Sequence, residues 1–437
     1  MNEGEVFEFE PKVFIPPFIN CPRCGAKAFG VLYIQGHRFF RRCGECCQDQ
    51  SYPLPPISKR VVYLDQFAIS NMMKVLDPVS SVSQRGGMSN SFWLSLFEKL
   101  DQCCKLQLIV CPESAAHNKE SRVAPYYQSL KRMYELLAQS VSFRDTGWIQ
   151  SLQVNEHLKH WLTGKDEYEP DLHISSVVHG EIDAWTERYT VSVDIPWEEE
   201  WIADLRRQRD GLSEEITKIF SRWQGELGRS FNDWFEEEAL AFGKNHLKGF
   251  GNQLKKYADI QAGQRDLTMN DLFPASSVKL IMMVRHELIN TGTSNENDWP
   301  KKTIEYLSSP SLKAIPFLKI SSMMWAAIAR KAASGMKRPP SRGMSNDIET
   351  ISTLLPYCDA MFIDDECRGY LNEEPLRSEL SYGTRLFSQN NKDAFIDYLE
   401  ATKASITDEQ LNFVRGVYGD DWLRPYTSLY RTTANET

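Results

Sequence analysis

No uninterrupted apolar run in this 437-residue chain approaches the roughly 18 residues that a membrane-spanning helix needs. The first residues, Met1-Asn2-Glu3-Gly4-Glu5, are acidic and lack the basic start and apolar core of a secretory leader. Together these absences read as a cytoplasmic protein with no membrane partner. A surplus of positive charge is missing as well. Asp and Glu number 59 against 50 Lys and Arg, for a formal net charge of −9. That is not the charge of a protein that coats nucleic acid, although a local basic groove can coexist with an acidic metal site. Neither a GxxxxGK[ST] phosphate loop nor a GxSxG elbow occurs, which weighs against nucleoside-triphosphatase and acyl-hydrolase chemistry. No repeat period is visible. With 42 % apolar and 25 % charged residues, the composition is that of an ordinary folded chain of two or three domains.

Ten cysteines are too few for a disulfide scaffold in a chain of this length. Four of them have zinc spacing: Cys21-Pro22-Arg23-Cys24 and Cys43-Gly44-Glu45-Cys46. Two C-x-x-C turns can each present two thiolates to one tetrahedral Zn²⁺. Gly25 and Gly44 are the residues expected to permit the knuckle turns. Between the pairs, Val31, Tyr33 and Ile34 precede Gly36, and Phe39-Phe40 follow it, which predicts a β-hairpin. The unit at 16–50 reads as a zinc ribbon, too small to fold without its metal. Cys47 and His37 are the alternative donors. Cys103, Cys104, Cys111, Cys358 and Cys367 have no partner spacing and read as small buried hydrophobes.

Beyond the ribbon, an acidic lead occupies 1–15, and Ser51 to Pro56 reads as a stiff linker. The runs Val61 to Asp65, Leu106 to Val110 and Ala360 to Asp364 read as strands, the first and third ending in carboxylates. Phe92, Trp93, Leu96, Phe97 and Leu100 keep helical period, as do Leu130, Met133, Tyr134 and Leu137. From 123 to 342 the pattern is mostly helical, and its aromatic residues read as core. The expected organisation is an α/β core in two parts, 59–122 and 343–400, split by a helical insertion at 123–342 and followed by a helical tail at 401–437. Basic clusters at Arg41-Arg42, Lys59-Arg60, Arg206-Arg207-Arg209, Lys255-Lys256 and Lys337-Arg338 with Arg342 read mainly as solvated faces. The last, just before Asp347, is the best placed to meet a phosphate.

Strands that end in acids suggest a parallel sheet with carboxylates at its carboxyl edge, where open α/β sheets bind ligands. Converging carboxylates repel one another unless a hard cation neutralises them. Ser114 is a plausible N-cap, with His117 and Glu120 on one face of its helix. Ser345 or Asn346 is expected to cap a later helix, putting Asp347 in a first turn where the helix dipole favours its ionised form. Asp359 precedes its strand and reads as structural.

Taken together, Tyr63-Leu64-Asp65, Ser114-x-x-His117-x-x-Glu120, Asn346-Asp347 and the run from Leu355 to Asp364 resemble a divergent PIN-like (PilT N-terminus type) nuclease. The resemblance covers about 60–122 and 343–375. It implies a three-layer α/β/α sandwich around a parallel sheet. It also implies Asp65, Glu120, Asp347 and Asp364 as ligands of one or two Mg²⁺ or Mn²⁺ ions. The activity implied is phosphodiester hydrolysis by a metal-dependent endonuclease, with RNA favoured and single-stranded DNA the other substrate, as in RNA turnover, toxins or phage defence. Family members often carry Thr or Ser just before the last acid. Here that residue is Ile363, so Asp364 and Asp365 both stand as candidates for the last ligand. A protein partner would meet the ribbon or the insertion. The alternative reading is a catalytically degenerate PIN-like core that only binds nucleic acid or protein.

Overall fold

Apolar runs stand on either side of Gly36, and the computed structural model of the chain forms the hairpin that this pattern predicts. The structure describes residues 15–76, 88–124, 126–165, 167–187, 199–268, 271 and 275–424. The acidic lead up to residue 14, the end of the tail beyond 424 and the side chains of Arg206 and Arg209 lie outside the described residues. Strands β1 (Ile15–Ile19), β2 (Phe29–Gln35), β3 (Arg38–Cys43) and β4 (Asp49–Pro53) form an antiparallel sheet in chain order. Gly36 sits at a φ of 55°, a left-handed conformation that costs glycine nothing. The Ser51–Pro56 stretch is not wholly a linker, because Ser51 pairs with Phe40 and Tyr52 with Phe39 in β4. Its proline is tolerated because Pro53 ends an edge strand.

The second sheet is parallel throughout. It comprises β5 (Arg60–Leu64), β6 (Ile109–Val110), β9 (Ala360–Phe362) and β10 (Arg385–Phe387), in the order β10-β9-β5-β6. A parallel bridge from Glu113 to Ser142 adds β7 (Ser142–Phe143) beyond β6. β7 also pairs antiparallel with β8 (Val178–His179). The three runs read as strands from sequence therefore lie side by side, although some 250 residues separate the second from the third. The run at 106–110 yields only two strand residues, because the helix before it ends late. Gln107 turns at a φ of 61°, and its buried amide donates to the carbonyls of Cys104 and Lys105, capping orphan groups at that helix end.

Side chains of β5 alternate between two hydrophobic clusters, as a strand covered on both faces requires. Val62 and Leu64 pack with residues of α1 (Gln66–Leu76), α2 (Met88–Lys105), α4 (Tyr127–Ala138) and α14 (Lys392–Ala404), which follow or precede α3 (Ala115–Val123) in the chain. Val61 and Tyr63 pack with α10 (Pro316–Ala333), α11 (Met344–Leu354) and α12 (Asp365–Leu371). Between them run α5 (Thr146–Leu162), α6 (Glu199–Gly225), α7 (Phe231–Gln261), α8 (Ser276–Asn290) and α9 (Trp299–Leu307). The short α13 (Leu376–Glu379) follows α12, and α15 (Asp408–Tyr418) closes the described chain. Within the stretch read as an insertion, α4 and α10 pack directly with sheet residues, whereas α8 and α9 share a separate cluster with Val154 and Leu158 of α5. Trp223 and Trp234 are core residues, 2 % and 1 % exposed. Among the described residues, no helix is long and apolar enough to cross a membrane.

The ribbon is docked against the rest of the chain. Val31, Ile34, Phe39 and Leu54 form one cluster with Trp185, Val414, Val417 and Tyr418. Arg41 and Lys59 are not on solvated faces. Arg41 is buried and donates to the carbonyls of Pro17, Phe29 and Gly416. Lys59 is buried with its ammonium on Gln139 and Thr186. A charge taken from water needs such partners.

Gly243 lies on α7, where a Cβ would stand 1.7 Å from the Leu307 carbonyl oxygen. Gly243→Ala is expected to force α7 from the end of α9 and to cost about 3 kcal/mol. Urea unfolding checks this, and unchanged midpoints would show that the helices separate freely.

Candidate functional site

Four chain segments deliver carboxylates to the carboxyl edge of the parallel sheet. Asp65 follows β5. Its N–H continues the ladder to the Phe362 carbonyl at 2.9 Å, and its own carbonyl accepts from Ala68 and Ile69 as α1 begins. Asp364 follows β9, the neighbouring strand, and caps α12: Oδ1 accepts from the N–H groups of Glu366 (2.8 Å) and Cys367 (2.9 Å). Its Oδ2 is shut off from solvent without a hydrogen-bond partner. Asp347 lies in the first turn of α11. Glu120 is half-buried on α3.

The cap of α3 is the one expected. Ser114 Oγ accepts from the His117 N–H at 3.3 Å, and His117 Nδ1 accepts from the Ser114 N–H at 3.2 Å. The His117 ring is stacked between Tyr63 and Tyr134, with centroids 5.0 and 4.9 Å away. Burial pushes its pKa down to about 4. It is a neutral packing residue that holds α3, and with it Glu120, against β5.

The cap of α11 differs from expectation. Gly343 precedes the helix, and neither Ser345 nor Asn346 caps it. The dipole argument for Asp347 also fails. Burial, and then the charges of Asp65, Asp364, Glu120 and Glu366, push its pKa up to about 8. A helix N-terminus contributes about 0.3–1 kcal/mol, less than one pKa unit, so desolvation and like charge win. Asp65 is raised to about 7 by burial, then by Glu120 and Asp364, against the opposing N–H groups of Gln66 and Phe67. These mutual effects place the four acids in one electrostatic neighbourhood.

Its tightest part is Asp347, Asp364 and Cys367, whose ligand atoms all lie within 4.8 Å of one another. Asp365 is turned elsewhere: Oδ1 accepts from Ser388 Oγ at 2.6 Å and the Asn390 N–H at 2.8 Å. Of the two adjacent acids, Asp364 is therefore the one at the cluster. Asp359 Oδ2 accepts from the Val61 N–H at 2.7 Å, at the opposite sheet edge. Sequence reasoning missed two groups. Glu366 follows directly in the Asp364-Asp365 run. Cys367 stands three residues after Asp364 on the same helix, the one spacing that ties the two.

The donors suit a divalent cation. Asp364 Oδ2 is a buried acceptor without a hydrogen-bond partner, and burial with like charge pushes the Asp65 and Asp347 carboxyls up to about 7 and about 8. Folded-state pKa values above the ordinary aspartate value of 3.8 mean that the cation-free fold loses stability as pH rises from that value up to about 7 for Asp65 and about 8 for Asp347. A cation must displace those protons. Mn²⁺ affinity, measured calorimetrically on zinc-loaded protein, is therefore expected to rise at least about tenfold between pH 6 and 8.5. A flat profile would remove these carboxyls from the site.

At the ribbon, Cys21, Cys24, Cys43 and Cys46 form a second group. Sγ atoms of Cys21 and Cys46 are 3.6 Å apart, and those of Cys24 and Cys43 are 3.7 Å apart. A tetrahedral ion with metal–sulfur bonds of about 2.3 Å needs sulfurs about 3.8 Å apart. N–H groups of Arg23 and Glu45 point at Cys21 and Cys43 sulfurs, both at 3.4 Å. The group can hold a structural metal such as zinc. Cys47 and His37 stand outside it. In the first knuckle Gly25 takes the left-handed turn (φ 77°), but in the second it is Cys47 (φ 54°), not Gly44. Compared with protein-family models, with curated proteins and with solved structures, the chain matches none.

Proposed function

We propose that the chain is a metal-dependent nuclease of PIN-like architecture, hydrolysing phosphodiester bonds with RNA as the favoured substrate and single-stranded DNA as the other. The observation that carries this reading is the gathering of Asp65, Glu120, Asp347 and Asp364 at the carboxyl edge of adjacent parallel strands. In open α/β sheets that edge forms the ligand crevice. The strand row β7-β6-β5-β9-β10 and the helices on both faces of β5 support a three-layer core. Asp65, Asp347 and Asp364 would hold Mg²⁺ or Mn²⁺, and Glu120 would hold a second ion or orient the attacking water. The bound ion lowers the pKa of its water and neutralises charge on the phosphoryl oxygens. Exposed Lys337 and Arg338, in the loop that leads to α11, offer contacts to the backbone of a nucleic acid. The ribbon, with its apolar face already docked on α15, is an accessory module whose outer face remains for nucleic acid or a protein.

One observation favours the binding-only alternative: Ile363, fully buried, stands where the family often has a hydroxyl. A cleavage assay on RNA and single-stranded DNA, with Mg²⁺ or Mn²⁺ and with chelator, separates the readings. Cation-dependent cutting supports the nuclease. Intact substrates with folded, Mn²⁺-loaded protein would leave a binding module.

A further inference from the structure

We infer that the acid site is a mixed oxygen–sulfur site, in which the thiol of Cys367 joins Asp347 and Asp364 as a ligand and sets which divalent ion is taken. The inference rests on the acid cluster being a cation site. Cys367 is fully buried on the first turn of α12. Its Sγ and the carboxylate oxygens of Asp347 and Asp364 lie within 4.8 Å of one another, the span of ligands around one ion. The thiol faces the Met344 thioether at 3.6 Å, a weak acceptor, and it also stands within hydrogen-bonding reach of the Asp364 carboxylate.

A second observation points to the same corner. Asp364 Oδ2 is closed to solvent and has no hydrogen-bond partner, although Oδ1 of the same carboxylate holds two N–H groups. A buried acceptor left without a partner is costly, and one cation reached by both Oδ2 and the sulfur would satisfy it. The rival role for Cys367 is that of a small hydrophobe filling space beside Met344. Packing, even with the thiol donating to Asp364, does not need Asp347 brought to the same sulfur.

The donor type has consequences for selectivity. Mg²⁺ demands oxygen ligands in near-ideal octahedral geometry and gains little from sulfur. Zn²⁺ binds thiolate readily, and Mn²⁺ stands between the two. When the sulfur–metal bond forms, the S–H bond breaks and its proton passes to solvent. Zinc should therefore occupy the site tightly, competing with the hard ion that the proposed hydrolysis uses.

The experiment titrates full-length protein, its ribbon already zinc-loaded, with Zn²⁺, Mn²⁺ and Mg²⁺. Calorimetry in two buffers of different ionisation enthalpy counts the protons released. Wild type, Cys367→Ser, Cys367→Ala and Asp347→Asn are compared, with near-UV circular dichroism to follow the fold. Both cysteine variants are expected to bind the additional Zn²⁺ at least about tenfold more weakly. They should release one proton fewer and hold Mg²⁺ as wild type does. Should Cys367→Ser lose its near-UV signature, Cys367→Ala, which keeps an apolar side chain, carries the comparison. Zinc affinity and proton count unchanged in a folded cysteine variant, but lost in Asp347→Asn, would overturn the sulfur ligand and leave the carboxylate site standing. No further binding of any of the three ions by wild type would overturn the cation site, and the inference with it.

Discussion

Asp65→Asn is expected to remove nearly all phosphodiester cleavage, by about 100-fold or more, while the cation-free protein melts no lower than wild type. The two outcomes have one cause. Asp65 is half-buried beside Glu120 and Asp364, and its carboxyl is pushed up to about 7. Near neutral pH its charge therefore works against the fold unless a cation is present. Asparagine keeps the shape and removes that charge, so the fold loses nothing, but the proposed ion would lose a negative ligand. Asp347→Asn should behave alike, since burial and three neighbouring acids of the proposed set raise that carboxyl to about 8. Asp359→Asn is the control. Its carboxylate accepts the Val61 N–H at the far edge, so it should cost about 1 kcal/mol of stability and leave cleavage intact. RNA cleavage in Mn²⁺, with melting curves on each cation-free protein, tests all three. Cleavage that survives both Asp65→Asn and Asp347→Asn would remove these residues from the reaction. Loss of activity matched by an equal loss of melting temperature would make their role structural.

The legible parts of this chain are those where local chemistry and final position agree. Val61-Val62-Tyr63-Leu64 is β-branched and aromatic, ends in an acid, and forms a strand ending at the cluster. The Ser114 cap and the Leu130–Leu137 stripe needed only neighbouring residues, and both are as read. What escaped depends on distant chain. β10 is three residues long and is defined by its register with β9, so it carries no period of its own. Arg41 resembles a surface charge until the carbonyl of Gly416, far along the sequence, is placed beside it. Asp347 shows the limit in energetic form. A first-turn acid is favoured locally, yet three other segments bury it among like charges and reverse the sign. Cys367 has no spaced partner in the sequence. Only the turn that makes Asp364 a cap brings the thiol to the carboxylates.

The four-cysteine ribbon, which can hold a structural metal such as zinc, carries the largest expected effect on structure. Purified protein should hold about one Zn²⁺ per chain at the cysteine group, and Cys21→Ser combined with Cys24→Ser should abolish it. The core around these cysteines consists chiefly of Cys21, Phe29 and Cys43, far too little apolar surface to offset the ordering of four strands. Structural zinc contributes on the order of 10 kcal/mol to such units, so its loss should unfold the ribbon itself. The consequence reaches further than an isolated module would allow. Val31, Ile34 and Phe39 cover Trp185, Val417 and Tyr418, and Arg41 holds the Gly416 carbonyl. Unfolding the ribbon therefore uncovers α15 and the Trp185 loop, while the parallel sheet, in its own clusters, stays folded. Hydrogen exchange should show β2 and β3 lose protection completely, α15 lose part of its protection, and β5 and β9 lose none. Undiminished zinc in the double variant would refute the ligand assignment. Full protection of β2 and β3 without zinc would show that docking on α15, rather than the metal, holds the ribbon together.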